Sequence, residues 1–204
     1  MKLLKQKLMP LFPWNQARVA FIAQFVIALL DAQTSNLNTL AQKFRGKAEV
    51  ESHYKRIQRF LRGYLFDFDH FAQVIVKLMP VGDKWILCVD RTNWKFGKKN
   101  INLMVLGIAY KGICIPVLWS FLDKGGCSNM QERIDLMERF FKIFSLANIE
   151  CVTADREFIG KDWLDYLITQ NIPFRIRIRN NTQVRSGRSH RQMNVTRLFC
   201  GNRL

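Results

Sequence analysis

The sequence predicts an α/β fold in which an all-helical region precedes a mixed five-stranded sheet in the spatial order 3-2-1-4-5. Three observations predict it. The apolar period is helical up to about residue 80 and changes to continuous or alternating runs from Trp85. Beyond that point the runs read strand, strand, strand, helix, strand, helix, strand. Pro116 cannot donate to a ladder, so the third strand belongs at a sheet edge.

The helical region covers residues 14–80. In SNLNTLAQKF, Leu37, Leu40, Ala41 and Phe44 share one face, and Ser35 or Asn36 can cap the helix. Gly46 interrupts. In VESHYKRIQRFLRGY, Val50, Tyr54, Ile57, Leu61 and Tyr64 form an apolar stripe, and His53, Lys55, Arg56, Arg59 and Arg62 occupy the other side. Two short helices around a glycine, the second basic on its outer face, suggest a helix-turn-helix that binds DNA. A plain solvated helix pair is the alternative.

WILCV, residues 85–89, is a continuous apolar run, as expected of a strand buried on both faces. INLMVLGIAY and ICIPVLWSFL follow, joined by links short enough for antiparallel hairpins. SNMQERIDLMERFFKIF reads as a helix with Ile134, Met137, Phe141 and Phe144 inward; Ser128 with Gln131, or Asn129 with Glu132, makes a capping box. IECVTA is the fourth strand. GKDWLDYLITQN is a helix with Trp163, Leu164, Leu167 and Ile168 inward. PFRIRIRN is the fifth strand, with Phe174, Ile176 and Ile178 on one face and Arg175, Arg177 and Arg179 on the other. Right-handed crossovers place the fourth strand beside the first and the fifth beyond it. This topology is the ribonuclease H-like fold. The expected organisation is a helical DNA-binding region over 1–82, a ribonuclease H-like core over 83–182, and a basic tail over 183–204.

The 204 residues are 49% hydrophobic, ample for a packed core, and carry a formal net charge of +16. The excess is uneven. Residues 1–82 hold 12 Lys/Arg against 5 Asp/Glu, residues 83–165 hold 12 against 11, and residues 166–204 hold 8 against none. A nearly neutral centre between basic flanks points to a polyanionic partner, for which nucleic acid, double-stranded DNA in particular, and an anionic membrane are the candidates. The five cysteines are odd in number and include no C-x-x-C; with His53, His70 and His190 as the sole histidines, this fits reduced core thiols and argues against a Cys/His metal cluster. The apolar stretch Val19–Leu30 is short of the roughly 20 residues that span a bilayer. It reads as a buried core helix of a cytoplasmic protein, with no membrane partner.

Asp90 and Asp155 each end a strand-like run, in ILCVDRTNWKFG and IECVTADREFIG. In the 3-2-1-4-5 order these strands are parallel neighbours, about 4.8 Å apart, with their carboxyl ends together. Two carboxylates so placed suit Mg²⁺ or Mn²⁺, and a two-metal site is a recurring solution for phosphodiester cleavage. The alternative is that each is a strand-end residue bonding its own backbone. Arg91, Lys95, Lys98, Lys99 and Arg156 are expected around the pair, able to hold phosphates or simply to balance charge.

D-R-T-N-W-K-F-G and A-D-R-E-F-I-G resemble the first two catalytic blocks of bacterial insertion-sequence DDE transposases of the IS-four type. The resemblance covers residues 84 to about 180 and, more weakly, the helical region. It implies Asp90 and Asp155 as catalytic metal ligands of a Mg²⁺ or Mn²⁺ two-metal site. It further implies cleavage of transposon ends by water, strand transfer into target DNA by the freed 3′-hydroxyl, and a homodimer on paired ends. Its third acid, a Glu in a Y-x-x-R-x-x-x-x-x-x-E-x-x-x-x-x-x-K block, has no counterpart here, since no Asp or Glu follows Asp165. Glu157, Asp123, Asp162 and Asp165 are poor substitutes by position. The expectation is therefore the amino-terminal part of a transposase, binding DNA through His53, Lys55, Arg56, Arg59, Arg62, Lys98, Lys99, Arg156, Arg175, Arg177 and Arg179, and inactive alone. A non-catalytic DNA-binding regulator or competitor of transposition, and a cellular nuclease of the same fold, remain as other readings.

Overall fold

A computed structural model of the chain describes residues 1–185 and 192–199. The chain divides into two compact units, Met1–Asp67 and Phe68–Leu204. Much of the expected basic tail, with His190 and Cys200, lies outside the described residues.

The first unit is helical: α1 (Lys2–Leu8), α2 (Gln16–Ala32), α3 (Leu37–Lys43) and α4 (Val50–Gly63). Asn15 starts α2 by accepting from the Arg18 amide at 2.9 Å, and Asn36 starts α3 by accepting from Asn38 and Thr39. The α2–α3–α4 core joins Phe21, Ala28, Leu40, Ala41, Phe44 and Ile57. The connection between α3 and α4 runs over residues 44–49, longer than the usual three- or four-residue turn. Gln24, itself buried, fastens it by donating to the Arg45 carbonyl at 2.5 Å. The α4 face differs from expectation. His53 is buried, not on the outer basic side, with its ring 5.5 Å from that of Phe44, while Val50 and Leu61 are exposed. The inward positions are His53, Ile57 and Phe60, an i, i+4, i+7 set that includes the histidine. Among the described residues no single helix is long and apolar enough to cross a membrane.

The second unit begins with α5 (Phe68–Leu78). There follow β1 (Trp85–Phe96), β2 (Lys99–Tyr110), β3 (Ile113–Leu122), α6 (Met130–Ile143), β4 (Ile149–Ala154), α7 (Lys161–Thr169) and β5 (Phe174–Ile176). A separate ribbon of β6 (Gln183–Arg185) and β7 (Gln192–Asn194) precedes α8 (Thr196–Phe199). The main sheet has the order β3-β2-β1-β4-β5, as the run pattern predicts. β1, β2 and β3 are antiparallel; β1–β4 and β4–β5 are parallel. Lys111 and Gly112 both take positive φ, 48° and 83°, in the tight turn between β2 and β3. Pro116 lies on the edge strand beside a register shift at Leu106/Gly107.

One face of the sheet carries the core. Leu87, Val89, Met104, Leu106, Ile108, Val152 and Ala154 meet Leu136, Met137 and Phe140 of α6 and Trp163 and Leu167 of α7. Asn129 and Glu132 form the capping box of α6. Two inward stripes are rotated from expectation. On α6 the fully buried positions are Arg133, Leu136, Met137 and Phe140, with Ile134, Phe141 and Phe144 packed at the margin. On α7, Ile168 is 61% exposed. β5 is three residues long, and Ile178 lies past its end, exposed.

The cysteines depart from core thiols as well. Cys151 is buried, whereas Cys114 and Cys127 are exposed. Cys88 on β1 and Cys114 on β3 reach toward each other across Gly107 of β2, which pairs directly with Cys88. A hydrogen bond from Cys88 lowers the Cys114 thiol to about 7 and raises that of Cys88. Glycine is required between them: a Cβ at 107 would strike Cys114 Sγ and stand 2.7 Å from the Ile115 carbonyl oxygen. Gly107→Ala is therefore expected to destabilise the chain by about 1–3 kcal/mol through overpacking against backbone. Urea unfolding should show a lowered midpoint at unchanged slope, and an unchanged midpoint would contradict the close approach.

Candidate functional site

Parallel pairing of β1 with β4 runs from Trp85↔Ile149 to Val89↔Ala154. Asp90 and Asp155 are the next residue on each strand. Side chains alternate along a strand, so both carboxylates fall on the sheet face opposite Val89 and Ala154, which point to the helices. Both are exposed. Asp155 ends β4 and caps a short turn over Arg156–Phe158.

β1 does not stop at Asp90, contrary to the strand expected over WILCV. It continues to Phe96, paired with β2 down to Phe96↔Lys99. Asp90 thus marks the point where β1 outruns β4. The polar segment RTNWKF needs only the antiparallel ladder to stay extended, and Gly97, at φ 60°, closes the turn. This relocates the expected lysines. Lys98 and Lys99 sit at the hairpin tip, and the six steps from Asp90 to Phe96 alone span about 20 Å. They do not surround the aspartates, and Lys95 is carried outward with them.

Arg91, open in sequence to either a phosphate contact or charge balance for the aspartates, is engaged by Glu157 and Asn102. Its Nε and Nη2 donate to the two carboxylate oxygens of Glu157, each at 3.0 Å, and its Nη1 donates to Asn102 Oδ1 at 3.2 Å. Asn102 is buried and donates through Nδ2 to the carbonyls of Lys124 and Gly126. Arg133, also buried, donates to Ser128 Oγ, the Ser128 carbonyl and the Glu157 carbonyl. The Glu157 hydrogen bonds raise the pKa of Arg91, and burial lowers that of Arg133. These contacts tie the turn after Asp155 to β1, β2, the 124–128 loop and α6. Neither Asn102 nor Arg133 stands out in the sequence: one looks like a solvent-facing strand residue, the other like a helix-surface cation.

Among the described residues, the arginines along the Asp155 edge stand outside that network. Arg156, Arg175, Arg177 and Arg179 are exposed. Arg175 pairs with Thr153, and the Arg177 amide donates to the Ala154 carbonyl, which carries both side chains past the Asp155 edge of the sheet. Thr153, Asp155, Arg175 and Arg177 line one shallow concavity, and Arg156, Arg177, Arg179, Asn180 and Asn181 line the next. Arg177 Nη1 is 3.7 Å from Asp155 Oδ1, a solvent-exposed pair worth little by itself. In the helical unit, Lys55, Arg56, Arg59 and Arg62 are exposed on α4, and Lys55 pairs with Glu51 at 3.4 Å.

Oxygen donors at this spacing are of the type that Mg²⁺ and Mn²⁺ take. Asp90 Oδ1 also accepts from the Arg91 amide at 2.7 Å, the local bond of a strand residue, which leaves its other oxygen open. Among the described residues no group of three or more His, Cys, Asp or Glu side chains converges. Asp90 and Asp155 are thus two oxygen donors that could hold a divalent ion, while the Glu157 carboxylate is engaged by Arg91.

A mixed 3-2-1-4-5 sheet with acids where the parallel β1–β4 pairing ends fits the ribonuclease H-like class of nucleic-acid-processing domains. The family model described as Transposase DDE domain matches residues 81–200. The chain belongs to this transposase family. A search of curated proteins gives no match.

The two acids of the DRE segment should separate cleanly. Glu157→Gln removes a charge-assisted, half-buried pair and is expected to cost about 1–3 kcal/mol. Asp155→Asn, on an exposed carboxylate, should stay within about 0.5 kcal/mol of the parent. Equal losses in chemical unfolding would show that Asp155 is also a structural residue.

Proposed function

We propose that the chain is a transposase of an insertion sequence of the IS-four type, acting on transposon ends and target DNA. The observation that carries this is the register of β1 against β4, in which Val89↔Ala154 is followed by Asp90 and Asp155 beside Arg156, Arg175, Arg177 and Arg179. In this reading Asp90 and Asp155 hold Mg²⁺ or Mn²⁺. An ion held there would supply activation of an attacking oxygen and stabilisation of a leaving one, in cleavage of the end by water and in strand transfer by the freed 3′-hydroxyl. The arginines along the Asp155 edge hold the flanking phosphates, as cations that offset an acidic site. The exposed α4 face binds duplex DNA, and two copies act together on paired ends.

The 204 residues by themselves supply two of the three carboxylates that such a centre uses. No Asp or Glu follows Asp165, and Glu157 is committed to Arg91. In isolation the chain binds DNA and a divalent ion but does not cut. A second reading, favoured by the engagement of Glu157 with Arg91, is a non-catalytic DNA-binding regulator that competes for transposon ends.

Mn²⁺ binding followed by electron paramagnetic resonance distinguishes the two. The transposase reading expects Asp90→Ala/Asp155→Ala to weaken Mn²⁺ binding by at least about tenfold with duplex binding retained. Equal Mn²⁺ binding by both proteins favours the regulator. Robust Mg²⁺-dependent nicking of a supercoiled donor by the isolated chain, lost in Asp90→Ala, would overturn the claim that it is inactive alone.

A further inference from the structure

The helical unit gathers arginines from two helices that lie far apart in the chain. Arg18 stands in the first turn of α2, and Arg56 and Arg59 on α4. The three line one concavity with Phe60, Gly63 and Tyr64, and Arg18 and Arg56 extend into a second with Asn15, Ala17, Phe21 and Phe60. Two of the guanidinium groups are braced on aromatic faces. That of Arg18 lies 4.5 Å from the Tyr64 ring centroid and that of Arg56 lies 5.0 Å from the Phe21 centroid. The rings are themselves fixed. Tyr64 stacks on Phe60 at 5.2 Å and meets Trp14 edge-on at 5.3 Å, and Phe21 packs on Phe60 at 4.6 Å.

Among the described residues, none of the three arginines has a carboxylate partner; the ion pair on α4 joins Lys55 to Glu51. Three guanidinium groups lining one hollow without a counterion repel one another, and an anion between them relieves that repulsion. A planar fork of donors held flat on a ring is preorganised for phosphate oxygens. The positive end of the α2 dipole adds to the same field. The hollow is shallow, and Lys55 and Arg62 are further exposed cations of α4, whereas a site for a free nucleotide encloses most of its ligand. A phosphate that belongs to a continuous backbone suits this shape.

We infer that Arg18, Arg56 and Arg59 form a clamp for the phosphate backbone of double-stranded DNA, in which α2 and α4 grip one strand. The inference rests on the DNA-binding reading above. It goes beyond that reading by adding Arg18 and by giving these arginines a register-fixing contact with phosphate, not a contact with base edges.

Fluorescence anisotropy on two short duplexes of unrelated sequence, over a range of KCl concentrations, tests it with the full chain. Arg18→Gln/Arg56→Gln should lower the slope of log affinity against log salt by about 1.8, the value for two phosphate contacts. Affinity for both duplexes should fall by the same factor. Arg18→Lys/Arg56→Lys, which keeps the charge, should retain most of the slope. If the double glutamine variant melts below the assay temperature, each single variant should lower the slope by about 0.9. An unchanged slope in folded glutamine variants overturns the clamp and leaves DNA binding standing, as does a loss confined to one duplex. Absence of duplex binding by the parent chain at low salt removes both the clamp and the reading beneath it.

Discussion

Everything in the second unit depends on the parallel pairing of β1 with β4. A parallel pair needs a crossover, and here that crossover is α6, whose Leu136, Met137 and Phe140 cover the same sheet face as Leu87, Val89, Val152 and Ala154. Covering one face fixes which side chains point away from it. Because the side-chain period is two, a slip of one residue would turn Asp90 or Asp155 into the apolar core and expose Val89 or Ala154. The hydrophobic effect thus sets the geometry of the two acids indirectly: burial of Val89 and Ala154 determines where their neighbours stand.

The fold was largely legible because its signals are long and redundant. The change from helical to strand period near residue 80, the proline of the edge strand and the handedness of crossovers all converge on one strand order. What was not legible depends on contacts distant in sequence. Asn102 looks like a solvent-facing strand residue until its amide meets the Lys124 and Gly126 carbonyls. Arg133 looks like a helix-surface cation until Ser128 and the Glu157 carbonyl satisfy its donors in the interior. His53 was set on the polar side by residue type, although its spacing to Ile57 and Phe60 places it on the buried one. Arg18 joins Arg56 only through the packing of α2 on the core.

The candidate site was legible to the same extent. Its two aspartates follow from topology, but the reach of β1 does not. RTNWKF alternates without a strong apolar face, so nothing in its composition says that the ladder continues to Phe96. Tertiary pairing with β2 decides it, and that pairing moves Lys95, Lys98 and Lys99 away from the acids they were expected to surround.

Both aspartates are followed by arginine, and the backbone gives the two arginines opposite tasks. On β1, alternation puts Asp90 on one face and Arg91 on the other, where it engages Glu157 and Asn102. At Asp155 the strand has ended, and the turn that follows leaves Arg156 exposed while Glu157 turns back toward Arg91. The consequence is electrostatic. Arg91 spends its Nε and Nη2 on Glu157 and meets the Asp90 carboxylate with its backbone amide, while its positive charge still acts on Asp90 across the strand. Arg91 in turn balances the charge of Glu157. The exposed groups at the Asp90–Asp155 edge include the two carboxylates and the outward arginines of the Asp155 edge. That combination of anionic centre and cationic border is what a metal ion and a polyanionic strand require of one surface.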